Sequence, residues 1–232
     1  DAVKFQIFDV DNLVKDKDIP FSYRILLDKE TGESEEVSEP LYDILKRRCM
    51  TDEEWIELKQ HADNLGLAFF ATICDEHDIA LVTKIGCQSI KIASADINHL
   101  PLLRQAAKTG LSIQLDTGSA TFGEIETAIN VIRSEGNDQI IIHNCPSGYP
   151  ARLESINLKM IPSLKTLFSC PIAYSDHTPG YEMDVAALAM GANLLEKTIT
   201  KDRTIRSVEH IMSLEPIETG NFVKIIRDVE IA

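Results

Sequence analysis

Residues able to do chemistry recur along this chain just inside or just after short apolar runs. The run 3–8 carries Lys4 and Gln6, and the run 67–73 carries Thr72. Lys91 lies in 89–93, which leads into Ser94 and Asp96, and 111–117 ends in Asp116 and Thr117. The run 139–144 brings His143 and Asn144, with Ser147 and Tyr149 close behind. Ile172 to Tyr174 is followed at once by Ser175, Asp176 and His177, and 193–199 closes with Glu196, Lys197 and Thr198. Toward phosphate or carboxylate a lysine acts as a point charge, while hydroxyls and loop N–H groups complete the oxyanion shell. Lys4 and Lys91 with several hydroxyls at one end therefore suit a small phosphorylated or carboxylated substrate. His177 can bind a divalent metal as a neutral imidazole; hydrogen bonding into its own loop is an equal alternative. His143 belongs to a strand and reads as structural, and His61, His77 and His99 read as surface residues. Asp116 serves equally as ligand, base or helix cap, and spacing does not rank these roles. With no Gly-x-Ser-x-Gly elbow and no convincing Cys/His pair, covalent catalysis would fall to Lys91 or Lys4 as a Schiff-base lysine.

The elements that must position these groups alternate. Helical patterns at 41–48, 51–65, 76–85, 100–109, 122–135, 155–168 (interrupted near Pro162), 184–190 and 218–229 separate the apolar runs, with Gly66, Gly110 and Gly136 as stops. Thr51 followed by Glu54 is a capping-box start. The segment 9–40, polar and with an acidic run around Glu33–Glu36, reads as a long surface loop. Seven short apolar strands separated by helices imply a parallel sheet covered on its outside. Ligands in such proteins lie at the C-terminal ends of the strands. A closed barrel has eight strands, so the expectation is an α/β fold of the (β/α)8 TIM-barrel type, a single catalytic domain over 1–232 whose first strand–helix unit lies before Asp1. An open doubly wound sheet is the alternative, weakened by the lack of a Gly-x-Gly-x-x-Gly after any strand.

The totals narrow the function. A net charge of -14, from 23 Lys+Arg and 37 Asp+Glu, opposes nucleic acid or an anionic membrane as main partner, because both require a basic face. Five scattered cysteines without a Cys-x-x-Cys spacing read as free thiols in a reducing compartment. No apolar run approaches the about 18 residues of a membrane span, and a cytoplasmic protein is expected.

Several stretches together carry a resemblance: Ala2-Val-Lys-Phe-Gln6, Phe70-Ala-Thr72, Ile90-Lys-Ile-Ala-Ser94, Asp116-Thr-Gly118, Tyr149-Pro150, Tyr174-Ser-Asp-His-Thr178, Gly191-Ala192 with Glu196-Lys197, and Ser213-Leu-Glu-Pro216. In these the chain resembles the N-acetylneuraminate (sialic acid) synthase family, which includes legionaminate and pseudaminate synthases and spore-coat polysaccharide relatives. The resemblance implies a β/α barrel that condenses phosphoenolpyruvate with an open-chain N-acylated amino sugar such as N-acetylmannosamine, giving a nine-carbon nonulosonic acid and phosphate. It implies a divalent metal, manganese by expectation with magnesium or cobalt as alternatives, that polarises the sugar aldehyde. It also implies a homodimer.

Carried over position by position, Lys4, Thr72, Lys91, Ser94 and Ser175 would hold phosphoenolpyruvate, Gln6 would lie beside the metal, and Tyr149 and Glu209 would face the sugar, with Ser147 nearby. Lys91, Asp96 and Asp116 are the catalytic candidates, and His177 is the metal ligand. The chain departs from the family at Thr198, which takes the place of the second metal histidine and leaves His210 as the substitute. It departs also at Asp96 for a glutamate, Ala95 for a glycine and Asp116 for a serine. The family's first-strand glutamate falls before Asp1, and its C-terminal antifreeze-like domain falls outside this chain. Two other readings stand beside this one: a Schiff-base aldolase on the same barrel, and a non-catalytic barrel that binds an acidic sugar or a partner protein.

Overall fold

The computed structural model describes residues 1–232. Nine strands form: β1 (Ala2–Gln6), β2 (Pro20–Leu26), β3 (Ser34–Pro40), β4 (Ala68–Ile73), β5 (Ser89–Ile92), β6 (Ser112–Asp116), β7 (Ile140–Asn144), β8 (Ile172–Asp176) and β9 (Leu194–Lys197). β2 and β3 make an antiparallel hairpin, and the other seven follow chain order in one sheet. Pairing is parallel from β1 through β4 and β5 to β6, and from β7 through β8 to β9. The chain divides into two compact units, one made of Asp1–Asp18 with Tyr42–Ile141 and the other of Ile19–Leu41 with Ile142–Ala232.

In the first unit the strands alternate chemically. Phe69, Ala71, Ile73, Ile90, Ile92, Ile113 and Leu115 are all 0% exposed, and each buried isoleucine of that kind contributes about 1.5–3 kcal/mol. The residues between them on the central strands include Thr72, Lys91 and Gln114, which face the other way because a strand has a period of two. The helices begin where side chains can satisfy the first free N–H groups. Thr51 with Glu54, Asp75 with Asp78, and Thr121 with Glu124 each form a reciprocal capping box, opening Asp52–Asn64, Glu76–Lys84 and Phe122–Ser134. Leu100–Lys108 buries Leu102, Leu103, Ala106 and Ala107, one helical stripe.

The second unit holds the ends of β7, β8 and β9, with helices Met160–Phe168, Glu182–Ala189 and Pro216–Ile231. Here two expectations are corrected. The expected loop over 9–40 is instead a four-residue helix, Val10–Leu13, followed by the β2–β3 hairpin. Its signal was the alternation Phe21, Tyr23, Ile25, of which Tyr23 and Ile25 are buried; the acidic run masked it because Glu35 and Glu36 occupy exposed positions of β3. The helix break expected near Pro162 lies earlier, where Asn157 adopts a left-handed φ of 54°. Pro162 sits in the first turn of Met160–Phe168, where a missing N–H costs nothing.

All five cysteines are free thiols, with Cys87, Cys145 and Cys170 buried and Cys49 and Cys74 partly so. No helix is long and apolar enough to cross a membrane.

Candidate functional site

The register of the first unit lines up one polar row. Gln6 pairs with Thr72, Thr72 with Lys91, and Lys91 with Gln114, so these four share one face of the sheet. Lys4 and Asp116 lie two residues from members of the row and therefore on the same face. Gln6 is exposed and Lys4 partly buried, whereas Thr72, Lys91, Gln114 and Asp116 are buried. Nζ of Lys91 lies 3.0 Å from Oδ2 of Asp116, with their side chains 2% and 11% exposed. Gln114 donates from Nε2 to Oγ of Ser89 at 3.1 Å, and that hydroxyl donates to the carbonyl of Ser112 at 2.8 Å.

Ser94 and Asp96 follow β5 in a short 3-10 turn, and burial holds the Asp96 carboxyl above its ordinary range. Gly118 packs directly on Ser94: a Cβ there would lie 2.4 Å from Ser94 Cβ, and its φ is +42°. Glycine is therefore needed twice over, for the backbone angle and for the close approach. Lys4, Thr72 and Lys91, expected as anion ligands, thus share a face, with Asp116 added. Gln114 and Ser89 were not among the expected residues. The signal for them was the polar alternation of Ser112, Gln114 and Asp116 along β6.

In the second unit Ser175 pairs in register with Glu196 and donates to its Oε1 at 3.1 Å. The neighbouring pair, Asp176 and Lys197, faces the other way. Lys197 donates to Asp176 Oδ2 and to the carbonyl of Thr178, and lies 3.8 Å from Asp184 of the helix Glu182–Ala189. Tyr174 and Thr178 also donate to Asp176, at 3.0 Å and 2.9 Å. Burial, and then the charge of Asp176, push the Asp184 carboxyl up to about 9. The strand-end residues Asp176 and Lys197 thus belong to a buried knot behind the sheet, and only Ser175 and Glu196 share the opposite face.

His177 follows β8 and is partly buried. Its Nδ1 faces the carbonyl of Pro146 at 3.1 Å, and its ring packs against Tyr149 with centroids 4.7 Å apart. A carbonyl only accepts, so Nδ1 carries the hydrogen and Nε2 is the atom suited to a metal, the usual arrangement of a metal-binding histidine. Nδ1 of His210 bonds the Thr200 hydroxyl at 2.7 Å. Thr198 Oγ1 is buried without a hydrogen-bond partner, an orphaned oxygen of a kind that divalent ions accept. These donor types fit a divalent cation. Glu209 is partly buried beside His210, and Ser147 and Tyr149 are exposed. Elsewhere, Asp75, His77 and Asp78 gather metal-type atoms within 4.8 Å. There Asp75 and Asp78 are already engaged as the capping box of Glu76–Lys84.

A seven-stranded parallel sheet with helices between its strands is an α/β fold, and ligands in folds of this class lie at the C-terminal strand ends. The chain belongs to the NeuB family, matching it over residues 1–232. It is 33% identical over 234 residues to N,N'-diacetyllegionaminic acid synthase of Legionella pneumophila, covering 99% of this chain and 64% of that relative. Thus the chain spans less than two thirds of that relative's length. Its fold resembles the N-acetylneuraminic acid (sialic acid) synthetase of Leptospira borgpetersenii, with a TM-score of 0.83 at 30% identity, covering 98% of this chain and 72% of that one. A fold likeness alone extends to a phospho-2-dehydro-3-deoxyheptonate aldolase of Thermotoga maritima, at TM-score 0.69 and 18% identity, covering 77% of this chain and 55% of that one.

Proposed function

We propose that this chain is the barrel portion of a phosphoenolpyruvate-dependent nonulosonic acid synthase. The observation that carries the reading is the row of Lys4, Thr72 and Lys91 on one face of a parallel sheet in a NeuB family chain. Lys4, Thr72, Lys91, Ser94 and Ser175 hold phosphoenolpyruvate, the lysines by charge and the hydroxyls by hydrogen bonds. Lys91 and Asp96 are the proposed catalytic groups, with Asp116 bound to Lys91 in the free protein. Tyr149, Ser147 and Glu209 face an N-acylated amino sugar. A divalent metal, manganese by preference, would be held by His177 through Nε2 and by His210, with Gln6 as a further polar group toward it. When bound, such a metal supplies electrophilic polarisation of the sugar aldehyde.

In the reaction, C3 of phosphoenolpyruvate forms a bond to the aldehyde carbon, whose oxygen takes up a proton. Water adds at C2, and the C2–O bond to phosphate breaks with loss of a proton to solvent. The closed eight-stranded barrel is part of the same proposal, supported by the family membership and the fold likenesses, and the homodimer and the cytoplasmic setting go with it.

The test incubates the full-length protein with phosphoenolpyruvate, manganese and a panel of N-acylated hexosamines, and measures phosphate and α-keto acid. Stoichiometric release of both, abolished by a chelator, is expected. Absence of turnover with every sugar rejects the reading.

A further inference from the structure

Lys91 and Asp116 come from neighbouring strands whose register fixes their approach. Lys91 is opposite Gln114, and Asp116, the last residue of β6, is the next residue on the same face. The result is an ammonium and a carboxylate 3.0 Å apart with little access to water. A lysine held in such a place needs a counter-charge whenever no ligand is bound, because an uncompensated buried cation is strongly destabilising. Asp116 supplies that charge. Its Oδ2 takes up one of the ammonium's hydrogen-bonding directions, for which an incoming carboxylate or phosphate would compete.

We propose that Asp116 is a built-in counter-anion of Lys91, which any anionic ligand at Lys91 has to displace. The proposal rests on the reading of Lys91 as an anion-binding group. Asp116 then sets the affinity for the anion and lowers it. It holds Lys91 in position in the free protein and takes no part in proton transfer. Displacement needs only a side-chain rotation, since Asp116 is followed by the tight Thr117-Gly118 turn packed on Ser94, which keeps the backbone in place. The carboxylate so displaced stays close enough to repel the ligand, which is why its charge costs affinity rather than merely exchanging partners.

The test compares the full chain with its Asp116→Asn variant, which keeps the side-chain shape and removes the charge. Binding of inorganic phosphate and of phosphoenolpyruvate is measured by calorimetry at fixed ionic strength, and thermal unfolding is followed over a phosphate series. The variant is expected to bind both anions at least tenfold tighter than the parent. Its melting temperature is expected to rise more steeply with phosphate, because the ligand replaces the missing counter-charge. Adding Lys91→Gln should abolish the gain. A variant that folds and binds no tighter overturns the counter-anion role, as does one that stays unfolded at every phosphate concentration. If the parent still binds phosphoenolpyruvate in those cases, the synthase reading survives. If neither protein binds either anion, both readings fall together.

Discussion

Lys197, the last residue of β9, stands in register with Asp176, the last residue of β8, and the two form an ion pair with side chains 2% and 0% exposed. The same ammonium binds the Thr178 carbonyl, so the strand end that precedes His177 is tied down from both sides. Replacing it with methionine keeps the length and removes the charge. The Asp176 carboxylate would then be buried without its cation, a loss of about 3–5 kcal/mol. Urea unfolding of Lys197→Met at neutral pH measures it, and a loss below about 1 kcal/mol would show that the knot is held by other bonds.

Asp184 gives the knot a pH dependence of definite sign. Its carboxyl is pushed up to about 9, first by burial and then by Asp176, from an ordinary value of 3.8. The folded chain therefore binds more protons at this site than the unfolded chain between those values, and stability falls as pH rises through that window. Asparagine keeps the shape of the neutral acid and removes the charge, so the variant stands in for the protonated state at every pH. Asp184→Asn should match the parent near pH 4, at the ordinary carboxyl value, and gain on it as pH rises, exceeding it by more than about 1 kcal/mol near pH 8. Denaturation curves at the two values decide; a parent that gains on the variant with rising pH contradicts the assignment.

The knot also marks where sequence reading stops. Elements were legible because each leaves a local trace: a capping box at Thr51, glycine stops, apolar runs of strand length. Lys4, Thr72 and Lys91 were legible as one set because each lies within two residues of the end of an apolar strand. Glu196 and Lys197 look equivalent in the sequence, yet adjacent strand residues point to opposite faces. Which of them joins Ser175 is a matter of register with β8. Asp184 reads as an ordinary first-turn acid favoured by the helix dipole, and nothing local says that it is buried beside Asp176. The hairpin was missed for the opposite reason: its strands bury only part of one face, and a solvent-facing acidic run dominated the pattern.

Gly118 offers a test of the close packing between the β5 and β6 ends. With a φ of +42° and only 2.4 Å from an added Cβ to Ser94 Cβ, alanine meets both a backbone and a contact penalty. Gly118→Ala should lose about 2–4 kcal/mol, the sum of those two effects. Thermal unfolding checks it. A variant as stable as the parent would mean that Ser94 moves aside freely, and would remove the argument that this turn holds Asp116 in place.

The β2–β3 hairpin is fastened to the segment that carries Glu209 and His210. Lys29, just past β2, reaches Asp202 at 2.9 Å and Glu215 at 2.6 Å, and Glu39 on β3 lies 3.6 Å from Arg206. Glu215 also accepts the Arg203 N–H at 2.9 Å and caps Pro216–Ile231 with Glu218. Lys29 holds the Glu215 carboxyl below its usual range and, after the Thr204 N–H, does the same for Asp202. These are partly exposed pairs at the surface, screened by salt and of small consequence for global stability. Their effect should be local. Lys29→Met is expected to leave the unfolding midpoint nearly unchanged while speeding hydrogen exchange of the β2 and β3 amides, and high salt should do the same to the parent. Exchange that is unaltered in the hairpin, or raised equally everywhere, would show that burial of Tyr23 and Ile25 fastens it without the charges.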